Sequence, residues 1–131
     1  MTWDLFVPGD PKTTQTGSIV RLPDGRAFPR RRHTEWSNRI ALAAAATRPP
    51  VLFTGPLRVT LEFSRRRPGS LPKRITAPVQ RPDLGNLSKG LLDALGGVVY
   101  ADDAQVVELI ERKRFAGPGM APGVAIRVET L

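Results

Sequence analysis

Residues 83–95 set the strongest limit on what this chain can fold into. Leu84, Leu87, Leu91 and Leu95 recur at spacings of three and four, which places them along one stripe of a helix. Asp83 is a good N-cap for it, and Gly96-Gly97 is a good stop. One apolar stripe has to be covered by something, and the flanking patterns show by what. Ahead of the helix, residues 57–63 alternate, with Leu57, Val59, Leu61 and Phe63 on one side and Arg58, Thr60 and Glu62 on the other, as in a half-buried strand. Behind it, residues 106–115 read as a strand with a basic end. A helix between strands folds back onto their sheet.

The remaining segments supply more of the same layers. Residues 2–8 put Trp3, Leu5 and Val7 on one side of a first strand, and Gly9-Asp10-Pro11 breaks it. Residues 12–18 are small and polar, as in a loop. Residues 19–28 read as a hairpin turning at Asp24-Gly25. Thr34 is a suitable cap for a second amphipathic helix over 35–46, with Trp36, Ile40 and Ala43/Ala44 inward, stopped by Arg48-Pro49-Pro50. Its alanine-rich stretch suits close packing on a sheet or on a second subunit. Gly117-Pro118-Gly119 turns the chain into a closing strand at 124–129. The expected fold is α+β: one compact domain over residues 1–131, with a small mixed sheet and two main helices.

Residue usage narrows the chemistry. There is no cysteine and a single histidine, His33, so thiolate zinc sites, cysteine nucleophiles and multi-histidine sites are excluded. A metal here would take oxygen ligands, which suit magnesium or manganese. No apolar run reaches membrane-spanning length and no signal-peptide layout is seen, so a cytoplasmic protein with no membrane partner is expected. The net charge is +8, with arginine clusters at 30–32, 65–67 and 112–114 and Lys73-Arg74 between them. That excess suits a polyanion with phosphates. Residues 64–80 hold three prolines, one glycine and five basic side chains, and read as a flexible basic loop just ahead of the acidic helix start.

A second acidic element, Asp102-Asp103, follows the helix. The helix is roughly 18 Å long. The six residues of 96–101, if extended, reach roughly 20 Å, so the chain can return the pair toward Asp83. If the pair lies in a strand, only one of its side chains faces the site.

Arg81-Pro82-Asp83-Leu84-Gly85-Asn86-Leu87-Ser88-Lys89, then Asp93-Ala94-Leu95, then Asp102-Asp103-Ala104-Gln105-Val106 together resemble the signature of the RusA family of Holliday-junction resolvases. The family pattern is R-x-D-x-D-N-L-x-K, D-A-L and D-D-A-Q-V. The resemblance implies a RusA-like fold and a homodimeric, magnesium-dependent endonuclease, with manganese as a substitute ion. It would nick four-way or branched DNA in recombination and repair, in a bacterial or phage setting. It implies catalytic roles for Asp83, Lys89 and Asp103, with Asp83 and Asp103 holding metal and Asp102 supporting. The cations placed to hold DNA beside that site are Arg65, Arg66, Arg67, Lys73, Arg74 and Arg81. One position departs: the family's second aspartate is Gly85 here. A rival reading is therefore a four-way-junction binding protein with weak or no hydrolysis. A basic RNA-binding or ribosomal-type protein accounts for the charge but not for the acids.

Overall fold

The computed structural model describes residues 1–11, 16–21, 23–31 and 35–131. The expected cap Thr34, His33 and the first part of the 12–18 loop lie outside them. Six strands and two helices are formed: β1 (Thr2–Pro8), β2 (Thr16–Arg21), β3 (Ala27–Arg31), α1 (Glu35–Ala46), β4 (Leu57–Arg65), α2 (Leu84–Leu95), β5 (Val106–Phe115) and β6 (Gly123–Thr130). β2 and β3 pair as the expected hairpin, although β2 starts at Thr16, inside the stretch read as loop.

The other four strands make a mixed sheet in the order β1-β6-β4-β5. β6 runs antiparallel to both β1 and β4, whereas β4 and β5 are parallel. A parallel pair needs a long crossover, and α2 supplies it. The alternation read at 57–63 is what buries β4: Leu57, Val59, Leu61 and Phe63 all point into the core. Val124, Ile126 and Val128 of β6 join them, with Trp3 and Val7 of β1. Trp36, Ile40 and Ala44 of α1 and Leu87, Leu91 and Leu95 of α2 cover this surface from one side. The α+β fold with one small mixed sheet and two main helices is thus the one observed.

Among the described residues the opposite side of the sheet carries no helix, and it is charged instead. Arg58 bonds Glu108 at 2.9 Å, Arg127 bonds Asp4 at 2.7 Å and Arg114 bonds Glu62 at 2.7 Å. Such exposed pairs add little stability, so the buried side holds the fold together.

Residues 66–80 form a loop with no helix or strand, as expected, and the loop makes contacts of its own. β4 continues through Arg65, and Arg67 donates to the carbonyls of Ile75, Leu71 and Pro72 at 2.8, 3.3 and 2.9 Å. Its guanidinium also lies over the Phe115 ring, 5.3 Å from the centroid. Prolines contribute carbonyls without N–H groups, and one arginine with several donors corrects that imbalance.

Candidate functional site

The site grows from the two ends of α2. At the N-terminal end, Asp83 has extended backbone angles and its side chain accepts from the Asn86 N–H at 3.1 Å, the cap its sequence position calls for. The approach to it is fixed from several sides. The Arg81–Pro82 peptide is cis. Arg65 donates to the Arg81 carbonyl at 2.8 Å and pairs with Asp10 at 3.2 Å. Lys113, late in β5, donates to the carbonyls of Gln80 and Pro82 at 3.0 and 3.1 Å. Gly85 and Lys89 are exposed on α2, one turn apart. A Cβ built at Gly85 meets nothing within 4 Å. Deeper along the helix, the buried Ser88 hydroxyl bonds Glu111 of β5.

The second acidic element lies at the other end. Residues 96–101 are not extended. The Val98 and Val99 N–H groups both return to the Leu95 carbonyl at 3.0 Å, and Gly97 bonds the Tyr100 carbonyl at 2.7 Å. Tyr100 is fully buried, and its hydroxyl donates to the Leu92 carbonyl at 2.8 Å. The turn therefore delivers Asp102-Asp103 beside the C-terminal half of α2. Nor are these two residues in a strand. Asp102 caps a short 3-10 turn (Asp103–Gln105), accepting from Ala104 at 2.9 Å, while the Gln105 amide oxygen reaches back to the N–H groups of Ala101 and Asp102, both at 3.0 Å. Asp102 is thus engaged in holding the turn, and Asp103 stands exposed at its first position.

Asp103 has neighbours of like charge. Its carboxyl is held above the usual carboxylate range, first by the hydrogen bond it shares with Asp102, then by partial dehydration and by repulsion from Asp102 and Asp93. Asp93 stands ten residues beyond Asp83, about 15 Å along a helix axis. Among the described residues no three acidic side chains converge on one point where a metal could sit. Gly85 thus lies at the Asp83 end of α2, Lys89 near its middle and Asp103 beside its C-terminal half.

The six cations read as DNA contacts divide as well. Arg66, Lys73, Arg74 and Arg81 are exposed along the segment that leads to Asp83. Arg65 and Arg67 are committed to internal carbonyls and Asp10. The sequence reading missed Lys113 and Glu111, which face the helix from β5; alternation along 106–115 was the signal that could have found them.

Tyr100 gives the site a pH signature. Burial, followed by the charges of Asp103 and Asp93, pushes its phenol well above the ordinary value. The protonated form is the one that folds, so this stability is complete below about pH 10 and is lost as pH rises beyond it. It is the single tyrosine of the chain, so tyrosinate absorbance reads it alone. We expect ionisation only together with alkaline unfolding. Titration near pH 10 with the fold intact would show that the phenol is not buried.

The chain has recognisable relatives. A relative in Bacillus subtilis (strain 168), the uncharacterized protein YqaN, is 35% identical over 87 residues, covering 59% of this chain and 61% of the relative. The chain thus spans about three-fifths of that protein's length. No helix among the described residues is long and apolar enough to cross a membrane. Residues 8–129, from the end of β1 almost to the end of β6, match the family described as endodeoxyribonuclease RusA, and the chain belongs to that family.

Proposed function

We propose that this chain is a structure-specific DNA endonuclease that acts, as a homodimer, on four-way junctions or similarly branched DNA. The observation that carries this reading is the Asp83 end of α2. There the exposed Asp83 begins the helix that carries the exposed Lys89, and the segment leading to it, tied back by Arg65 through the Arg81 carbonyl, carries the exposed cations Arg66, Lys73, Arg74 and Arg81. Lys89 is assigned to charge on the scissile phosphate, and the four cations to the phosphates around it. Arg65 donates to the Arg81 carbonyl, so the position of Arg81 relative to Asp83 is set by the same contacts that fix the approach to the cap. Magnesium or manganese belongs to the reading through the oxygen donors of Asp83 and Asp103. Among the described residues no three acidic side chains converge on one point, so no step is assigned to the ion here. Gly85 supports a second reading, a junction-binding protein in which hydrolysis is weak.

The test is incubation of an end-labelled four-way junction with protein and magnesium, with paired nicks expected. Absence of nicks from both the natural protein and Gly85→Asp, with equal binding of junction and linear duplex, would remove both readings. Binding should also separate the two classes of arginine. Four phosphate contacts per copy, hence eight per homodimer, give log K against log salt a slope of about −7. Removing Arg66 and Arg74 together should reduce that slope by about 3 to 4 with little change in melting temperature. Arg67→Ala should do the reverse, because Arg67 holds carbonyls rather than solvent. The same slope change from Arg67→Ala as from Arg66→Ala would overturn this division.

A further inference from the structure

We propose that the basic loop ahead of the acidic helix start holds a pocket for one unstacked pyrimidine base of a DNA strand. The proposal rests on the DNA reading above and deepens it, naming the part of the strand that sits beside the site rather than the bond that is cut.

Residues 66–80 have no helix or strand, yet they enclose a space. Pro68, Leu71, Ile75, Pro78 and Val79 line it together with Phe115 at the end of β5, and its volume is about 120 Å³. The prolines restrict their own backbone, and Arg67 closes the loop by donating to the carbonyls of Leu71, Pro72 and Ile75 while lying over the Phe115 ring. The walls are therefore in place before a ligand arrives, which lowers the ordering cost of binding. Val79, at 84% exposure, leaves apolar surface open to water beside this space.

Charge and size select the occupant. Arg65 and Arg66 line the same pocket, and Arg66 is exposed, so apolar walls stand next to a cation. A ligand that joins a flat apolar ring to an anion satisfies both, and each unit of a nucleic-acid strand is such a ligand. An aliphatic side chain of a partner protein would fill the walls and leave the guanidinium without a counter-charge. A protein cavity of about 150 Å³ is known to take benzene, so the present space suits one six-membered ring and leaves the second ring of a purine outside. Gln80 also lines the pocket and is exposed. Its amide offers two N–H donors and a carbonyl acceptor, the functions that the edge of a thymine or cytosine requires. A base inside a duplex cannot enter, because its edge is held by its complement and its faces by its neighbours. The pocket accepts a base only where a strand is open, as at a branch point.

The pocket is tied to the helix cap. Gln80 is three residues before Asp83, so the chain between them spans at most roughly 11 Å. Lys113 fixes that span by donating to the carbonyls of Gln80 and Pro82 at 3.0 and 3.1 Å. A strand with one base in the pocket is thereby held at a set distance from Asp83.

The test is the affinity of the natural protein for short end-labelled single strands of equal length, read by fluorescence anisotropy at one salt concentration. Oligothymidylate is expected to bind about tenfold tighter than an abasic strand, and tighter than oligoadenylate. Adenine has the larger stacking face, so an open aromatic platform would favour it instead. Ala77→Leu places a larger side chain in the pocket from an exposed position, and should abolish the thymidylate advantage with no change in melting temperature. Arg66→Ala should weaken all three strands by a similar factor and keep their order. Equal affinities for the thymidylate and abasic strands, tighter binding of adenylate, or an Ala77→Leu protein that keeps the natural order would each overturn the pocket. Cleavage plays no part in these measurements. Paired nicks without a thymidylate preference would remove the pocket and leave the nuclease reading, and a thymidylate preference without nicks would do the reverse.

Discussion

Gly123→Ala is expected to lower the melting temperature by about 5 to 10 °C, a loss of about 1–3 kcal/mol. Gly123 opens β6 opposite Pro8, and a Cβ there would sit 2.4 Å from the Val7 carbonyl oxygen and 2.7 Å from the Phe6 ring. The half-exposed Phe6 ring can swing away. The carbonyl cannot, because it belongs to the ladder that joins β1 to the sheet, and β1 has no other strand beside it. Relief therefore requires β1 to shift away from β6, which loosens Trp3 and Val7 in the core. Trp3 also donates its indole N–H to the Thr47 carbonyl at 2.7 Å, tying β1 to the end of α1. Thermal unfolding followed by tryptophan fluorescence is the measurement, since both tryptophans, Trp3 and Trp36, report on this layer. An unchanged midpoint would mean that β1 is not held at that register.

The elements that bury a face were legible because burial writes a period into the sequence. β1, α1 and β5 have the bounds their patterns implied, and β4 and α2 differ by a residue or two at one end. Asp83 was readable as a cap for the same local reason. The position of Asp103 was not. Chain length limits how far residues 96–101 can reach, but where they go is decided by hydrogen bonds from Gly97, Val98 and Val99 and by the burial of Tyr100. These keep the acids at the C-terminal half of α2. Arg67 illustrates a second gap. Counting cations treats each as a surface charge, whereas a proline-rich segment with spare carbonyls can take a guanidinium into its own structure. Pairing of β5 at one side only is a third: a strand pattern shows which side chains point inward and says nothing about which strand is last in the sheet.

Gly85→Asp is expected to raise junction cleavage by at least about 10- to 100-fold under magnesium. The physical case has three parts. Gly85 lies in the first turn of α2 with helical geometry and open space around the missing Cβ, so an aspartate fits without displacing anything. Glycine inside a helix costs about 1 kcal/mol relative to alanine, and an acid near a helix N-terminus interacts favourably with the unpaired N–H groups there. The substitution should therefore keep or slightly raise the melting temperature, so that a gain in activity cannot be ascribed to rescue of a poorly folded chain. Finally, the new carboxylate stands one turn before Lys89 and two residues from Asp83, adding a negative oxygen donor to an end of the helix that has one. Gly85→Asn separates charge from shape, since it offers a carbonyl oxygen of similar reach but no charge. The expected order of cleavage rates is Gly85→Asp, then Gly85→Asn, then the natural protein, with junction affinity in the absence of metal nearly the same in all three. Equal rates for the natural protein and Gly85→Asp, at matched protein and magnesium, would mean that position 85 does not bear on the chemistry.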